Sequence, residues 1–287
     1  MPTAYFGQFK VIPMIKTKNL TLVEKGNLQY IKFPKLSGCG AVKHLFSTRH
    51  GGVSEGEFSA MNLSFNRNDK WENVMENYRI ICSAENIDVG DLVLSAQTHT
   101  NNVLAVGKEH RGMGVTKPPF CDVDGLVTNE TGVALVTQYA DCTPLLFCDP
   151  QKRVIATSHA GWRGTVKLIA KVTVEKMVNE YGCNATDIIV GIGPSIGQCC
   201  YEVDDIVADE IKKIGLENLD EVLLKKPNGK YMLDLVETNR QILIMSGILP
   251  ENIDSSDICT CCNAEDLHSH RATNGKRGNL AAIIELK

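Results

Sequence analysis

The run Tyr139–Gly164, YADCTPLLFCDPQKRVIATSHAGWRG, decides how this chain folds. It holds two short apolar segments, Pro144–Cys148 and Val154–Thr157, of the length and composition of buried strands. Asp149–Arg153 between them is a tight turn, so the two strands form a hairpin. In a hairpin the start of one strand lies beside the end of the other. Asp141 and Cys142, just before the first strand, then meet His159, just after the second, at one rim of a sheet. Ala160 and Gly161 follow and leave the backbone room to approach a ligand.

Outward from this hairpin, strands and helices interleave. Ala41–Ser47, Leu92–Ser95, Val103–Val106, Val133–Thr137, Asp187–Ile192 and Leu280–Leu286 read as strands. Trp71–Glu85 reads as a helix, with Val74, Tyr78 and Ile81 at spacings of four and three. Thr165–Tyr181 reads as a helix ended by Gly182, and Leu233–Ser246 as one ended by Gly247. Asp204–Ile214 is a further helix. Lys108–Phe120 and Lys225–Lys230 are loops punctuated by Gly, Pro and Asn-Gly. The pattern predicts one mixed sheet system with outer helices. It shows no internal repeat or linker.

The 287 residues carry 30 basic against 34 acidic side chains, a net charge of −4. That balance speaks against a nucleic-acid partner. No apolar run reaches the roughly 18 residues a membrane span needs, which predicts no membrane partner. Met1–Lys16 reads as mature protein rather than a signal peptide. Eleven cysteines, an odd number with no export signal, predict reduced thiols and a cytoplasmic location.

Reduced thiols can ligate metal or act as nucleophiles. His99, in SAQTHTNNV, follows another apolar run and makes a trio with Cys142 and His159. One thiolate and two imidazoles suit Zn²⁺ well and copper less selectively, and three protein ligands leave a fourth position open for chemistry. On residue types alone, a buried cysteine with hydrogen-bonded histidines stands beside that reading.

The motifs ADCTPLL, SHAGWRG, DVDGLVT, GIGPSIG–YEV and the terminal CT–SHR–GR–L series together resemble the YfiH/YlmD family of laccase-domain proteins, which includes the human protein FAMIN. The matches run in family order from FSTRHGGVS at Phe46 to the last strand. The resemblance implies an α+β fold of mixed β-sheets with outer helices. It implies a single domain over 1–287, with 1–25 as an N-terminal extension, and a monomer or homodimer. The family, once labelled polyphenol oxidases, is described as zinc-containing purine nucleoside phosphorylases that also act on methylthioadenosine and deaminate adenosine. Its metal ligands map onto His99, Cys142 and His159. The partners implied are purine nucleosides and phosphate. Two departures stand out: Thr100 replaces the usual glycine after the first metal histidine, and Ala272 replaces the second arginine of the C-terminal motif.

Phosphorolysis needs a phosphate clamp near the ribose, and arginine's bidentate fork suits it. Arg49 and Arg271 are the favoured clamps; Arg163 is a third, with a loop-tying role as its alternative, and Arg277 lies in a family-like motif. Asn62 is a candidate for ribose or base. Deamination needs a proton shuttle, yet no glutamate follows His99 or His159 in the HxE pattern of zinc deaminases. Asp141 is the candidate, or else an anchor for its turn. GIGPSIG reads as a structural turn rather than a dinucleotide loop, and Asp122 with Asp124 as a capped turn before Gly125–Thr128. Cys199, Cys200, Cys259, Cys261 and Cys262 could gather a second metal, with ordinary thiols as the plainer reading. His44, His50, His110 and His268 have no compelling partner in the sequence and read as surface or core histidines.

Other functions use the same residues. Cys142 with His159 as its base would make a cysteine hydrolase or deamidase, as in the cytotoxic necrotizing factor domain whose fold the family resembles. A copper-dependent polyphenol oxidase is disfavoured, because seven histidines are few for several copper sites. A metal-binding partner protein without turnover is the non-enzymatic reading.

Overall fold

Thr143–Asp149 and Val154–Ala160 do form the expected hairpin, with Thr143 opposite Ala160 and Asp149 opposite Val154. The computed structural model describes residues 15–287, so nearly all of the Met1–Lys16 reading lies outside the described residues. The chain begins with strands β1 (Thr21–Lys25) and β2 (Leu28–Lys32), helix α1 (Pro34–Gly38), strand β3 (Val42–Ser47) and helix α2 (Trp71–Ser83). Strands β4 (Leu92–Ala96), β5 (Val103–Ala105), β6 (Phe120–Cys121), β7 (Gly125–Thr128), β8 (Ala134–Tyr139), β9 (Thr143–Asp149) and β10 (Val154–Ala160) follow. Then come α3 (Trp162–Val166), α4 (Ile169–Tyr181), β11 (Ile189–Ile192), β12 (Glu202–Val203), α5 (Asp205–Lys212), α6 (Leu219–Val222), β13 (Leu223–Lys225), β14 (Tyr231–Leu233), α7 (Leu235–Met245), β15 (Ile253–Ser255), α8 (His270–Thr273) and β16 (Leu280–Leu286).

The strands form two large sheets rather than one. The seven-stranded sheet has the order β1-β2-β3-β16-β8-β4-β6, the six-stranded sheet β15-β11-β9-β10-β7-β5, and β12-β14-β13 make a small third. Parallel pairs, β4 with β8 and β5 with β7, sit among antiparallel ones. Alternation along the strands explains the layering. Leu146, Cys148 and Ile155 of the six-stranded sheet face Leu135, Tyr139, Ala282 and Ile284 of the seven-stranded sheet. Leu145, Phe147 and Ala156 point the other way, onto Ala170, Val174 and Met177 of α4 and Leu243 of α7. Ala134, Val136, Ala281 and Ile283 pack on Val74, Tyr78 and Ile81 of α2. The layers therefore run helix, sheet, sheet, helix. Each buried large side chain contributes about 1.5–3 kcal/mol, and β9, β10 and β16 are buried along their whole length.

Some expectations change. β8 belongs to the other sheet from β9 and β10, because Tyr139–Asp141 carries the chain from one layer to the next. The helix expected over Thr165–Tyr181 is two helices, α3 and α4, broken where Leu168 takes a left-handed φ of 60°. Leu233 ends a strand, and α7 starts after Asp234, whose side chain caps the Glu237 N–H at 2.9 Å. The Lys225–Lys230 turn joins β13 to β14. Thr21–Lys25, within the 1–25 segment, is an edge strand paired with β2. Among the described residues no helix is long and apolar enough to cross a membrane.

Candidate active site

The β9–β10 hairpin places Pro144 opposite His159, so Cys142 comes to the rim beside His159 and Gly161. His99 joins them from the loop after β4, its Nε2 3.8 Å from Cys142 Sγ. The two imidazoles stand edge to face, with ring centroids 4.9 Å apart. One ligand atom from each of His99, Cys142 and His159 falls within 4.8 Å of the others. A Cβ on Gly161 would sit 2.7 Å from the His99 ring and 2.9 Å from Cys142 Sγ. Only glycine lets the three donors close up here.

Asp124 holds the trio together. Its Oδ1 lies 2.8 Å from His159 Nδ1, which leaves His159 Nε2 for the pocket. The same carboxylate accepts the main-chain N–H groups of His99 (3.1 Å) and Thr100 (2.7 Å) and the Thr100 hydroxyl (2.8 Å). Those bonds pin His99 in a left-handed backbone conformation, φ 66°, that a non-glycine residue adopts at a cost. Thr100, the departure from the family glycine, therefore braces Asp124 and does not line the cavity. The sequence reading left Asp124 as a turn cap. The signal that points further is an acid just ahead of β7, the strand that pairs with β10.

The electrostatics follow from this packing. Burial pushes the Cys142 thiol up, but the His159 charge and hydrogen bonds from both histidines outweigh it and hold it at about 6. Burial alone would lower His159; the Cys142 and Asp124 charges and hydrogen bonds raise it to about 9. Burial raises Asp124, and His159 with Thr100 pulls it down to about 2. The two histidines favour the thiolate over the thiol, and the thiolate is the form that binds metal or attacks an electrophile.

A cavity of about 590 Å³ opens in front of the trio. The same cavity is lined by Arg67, His270, Arg271 and Arg277, and by Tyr201, Gln97, Gln138 and Asn279. Arg271 Nη1 donates to the Cys200 carbonyl at 3.0 Å and Nη2 to the Glu202 carbonyl at 3.3 Å. Arg277 Nη1 donates to the Gly278 carbonyl at 3.0 Å and to Asn279. Its buried Nε has no partner. Burial and the Arg67 charge lower Arg277 to about 10. Arg79, Arg111 and Arg240 pair with carboxylates. Among the described residues, Arg67, Arg271 and Arg277 form no such pair, so three guanidinium groups without a carboxylate partner line the cavity.

The other candidates sort by position. Asp141 lines the cavity with φ 85°; its Oδ1 accepts from Thr260 Oγ1 at 2.6 Å and its Oδ2 from the Arg271 N–H at 2.7 Å. Arg49 lies outside the cavity lining, donating to the carbonyls of Ser59 (2.8 Å) and Ala264 (2.6 Å). Asn62 is fully buried, bonded to Asp69, Ser64 and the Asn279 N–H. Arg163 lies over the Trp162 ring at 4.3 Å, outside the cavity lining. Arg67 and His270 also line the cavity and carry no role in the sequence reading: Arg67 lies in a loop without a motif, and His270 lies in the SHR motif beside Arg271. In GIGPSIG, Gly191 packs on Phe33 and Gly193 on Pro144, as a structural turn requires.

Residues 43–287 match the family model described as multi-copper polyphenol oxidoreductase laccase. Purine nucleoside phosphorylase YlmD of Bacillus subtilis is 38% identical over 244 residues, covering 84% of this chain and 87% of that protein. Adenosine deaminase RL5, from an unknown prokaryotic organism, is 34% identical over 230 residues, covering 79% of this chain and 87% of that protein. The solved structure of Bacillus licheniformis hypothetical protein YfiH matches with a TM-score of 0.87 at 33% identity, over 93% of this chain and 99% of that one. Its likeness matches the expected α+β architecture of mixed sheets and outer helices.

Proposed function

Because the chain belongs to the laccase-domain family of YfiH and YlmD proteins, we propose that it is a zinc-dependent purine nucleoside phosphorylase with adenosine deaminase as a second activity. Adenosine, inosine, guanosine and methylthioadenosine are the substrates, cleaved by phosphate to free base and the sugar 1-phosphate. The observation that carries this reading is the cavity's mixed chemistry: a His–Cys–His trio and three arginines that form no carboxylate pair line the same cavity. About 590 Å³ is room for a nucleoside and a phosphate together.

His99, Cys142 and His159 would hold the metal; the donor set, the gap that Gly161 leaves and the carboxylate behind His159 all fit zinc, with copper as the less selective alternative. When bound, the ion supplies Lewis acidity to a purine atom or to water. The chain does the rest. Arg67, Arg271 and Arg277 hold the phosphate dianion and aim it at the ribose C1′. Tyr201 offers a ring face, and Gln97, Gln138 and Asn279 offer amide donors and acceptors to base and ribose. Asp141 keeps Arg271 in place and is the carboxylate nearest in sequence to the trio for moving a proton during deamination. Arg49, Asn62 and Arg163 act from outside the cavity, tying down the loops around it. Eleven free thiols support a reducing, cytoplasmic setting.

Chromatography of adenosine and inosine incubated with purified protein, with and without phosphate, tests this. Phosphate-dependent adenine and hypoxanthine release, lost together with metal in Cys142→Ala, supports it. Unchanged turnover in that variant, with metal content verified, overturns it.

One observation favours a second reading. Cys142, His159 and Asp124 stand in the order of a nucleophile, base and orienting acid, with the thiol at about 6. A cysteine hydrolase would use that thiolate directly. Iodoacetamide labelling separates the two: bound zinc masks Cys142, whereas a nucleophilic Cys142 is alkylated in the fully active protein.

A further inference from the structure

A second set of donors lies beside Arg271, whose guanidinium donates to the Cys200 carbonyl. One ligand atom from each of Cys199, Cys200, Cys259 and Cys262 falls within 4.8 Å of the others. Cys200 and Cys262 are 3.4 Å apart at sulfur, Cys199 and Cys262 3.5 Å, and Cys199 and Cys200 3.8 Å. Four thiolates around one ion with metal–sulfur bonds of ~2.3 Å stand about 3.8 Å from each other along the tetrahedral edges. A disulfide would need about 2.05 Å.

The surrounding backbone fits the same purpose. Cys259 Sγ accepts the N–H groups of Gly197 (3.2 Å) and Cys262 (3.4 Å), donors that stabilise thiolate charge. The Cys262 N–H folds back onto the sulfur three residues earlier, in the C-x-x-C spacing of structural zinc sites. A Cβ on Gly197 would meet Cys259 Cβ at 3.0 Å and Cys199 Sγ at 3.3 Å, so glycine lets the thiols converge. A bridge between Ser195 and Cys259, with the Thr260 N–H on the Ser195 carbonyl at 2.9 Å, sets the two loops in register.

We propose that Cys199, Cys200, Cys259 and Cys262 bind one zinc ion as a tetrathiolate site separate from His99–Cys142–His159. Four soft ligands with no open position make it a structural site. Any of the four thiols still protonated gives its proton to solvent as the ion binds, and no electron moves. The ion staples the Gly197–Tyr201 loop to the loop that follows β15. Those loops bring Tyr201 and Arg271 into the cavity, and Arg271 is itself bonded to the Cys200 carbonyl. Cys261 lies outside the cluster and packs toward the helix-side core.

Cobalt(II) titration of reduced, metal-free, full-length protein tests this in a Cys142→Ser background, which removes the thiolate of the other site. The expected result is one Co²⁺ per chain, with strong near-ultraviolet thiolate-to-cobalt charge transfer and tetrahedral visible bands, displaced by zinc. Cys199→Ser with Cys262→Ser should abolish the spectrum, while Cys261→Ser keeps it. Elemental analysis of protein without substitutions, reconstituted with zinc, reads two ions per chain against one in Cys142→Ser, and needs no variant of the four cysteines. A Cys142→Ser protein that binds no Co²⁺, or binds it without thiolate charge transfer, overturns the proposal. So does a disulfide among the four cysteines in protein purified anaerobically.

Discussion

His99, Cys142 and His159 stand at or just beyond strand ends and are braced by one buried carboxylate, whereas Arg271 on the single-turn helix α8 and Arg277 on the irregular chain after it are braced by main-chain carbonyls. The first group is fixed by the register of β9 and β10 and by β7 beside them. The second depends on loops meeting from distant parts of the chain. A site that must hold an ion needs donors placed within tenths of an ångström, which sheets provide. A site that must admit and release an anion tolerates more play, and long arginine side chains on loops supply it.

The sharpest way to break this division is at Cys142. Cys142→Ala should reduce phosphorolysis to the level of a protein-free control and remove the pocket metal, measured by hypoxanthine release and elemental analysis. Full activity without that thiolate would end the metal-side account. Asp124→Asn is the next test. It keeps the shape but weakens the brace on His159 and His99, and should lower metal affinity about 10- to 100-fold, read by competition with a chelator. An unchanged affinity would mean the strands alone position the trio.

Smaller effects separate structure from binding. Arg49→Met removes two hydrogen bonds to carbonyls outside the cavity. It should cost on the order of 1–3 kcal/mol, seen as a lower Tm, and leave the KM for phosphate unchanged. A raised phosphate KM would place Arg49 among the phosphate-binding arginines. A separate test concerns pH and stability rather than the site. His44 and His268 are buried, and burial with nearby positive charge lowers each to about 3. Their folded values lie below the unfolded value near 6.5, so the unfolded chain binds protons more readily. Stability is complete above about pH 6.5 and falls as pH drops toward 3, by about 1.4 kcal/mol per pH unit for each histidine. Urea midpoints that stay level from pH 7 to 4 would contradict this.

The same comparison explains what could be read in advance. The hairpin and the meeting of Cys142 with His159 were legible, because alternation and a short turn are local signals. His99 was legible as a residue type but became a partner through the family motif. Asp124 was underread, since its role needs β7 to pair with β10, a tertiary event. Arg67 carries no local signal, His270 is visible only as the neighbour of Arg271 in SHR, and Arg49 sits in a motif whose side chain ties loop carbonyls instead of entering the cavity. The break between α3 and α4 at Leu168 carries no Gly or Pro to announce it. The β1–β2 hairpin did carry a turn signal, Gly26–Asn27, within the stretch taken as an extension.

The most direct measurement is phosphate saturation of inosine cleavage, compared between the natural chain and Arg277→Gln with metal content matched. Loss of charged hydrogen bonds should raise the KM for phosphate by about 10- to 100-fold while the KM for inosine stays put. An unchanged phosphate KM, or cleavage that proceeds equally well without phosphate, would contradict a pocket that pairs a metal site with an anion site.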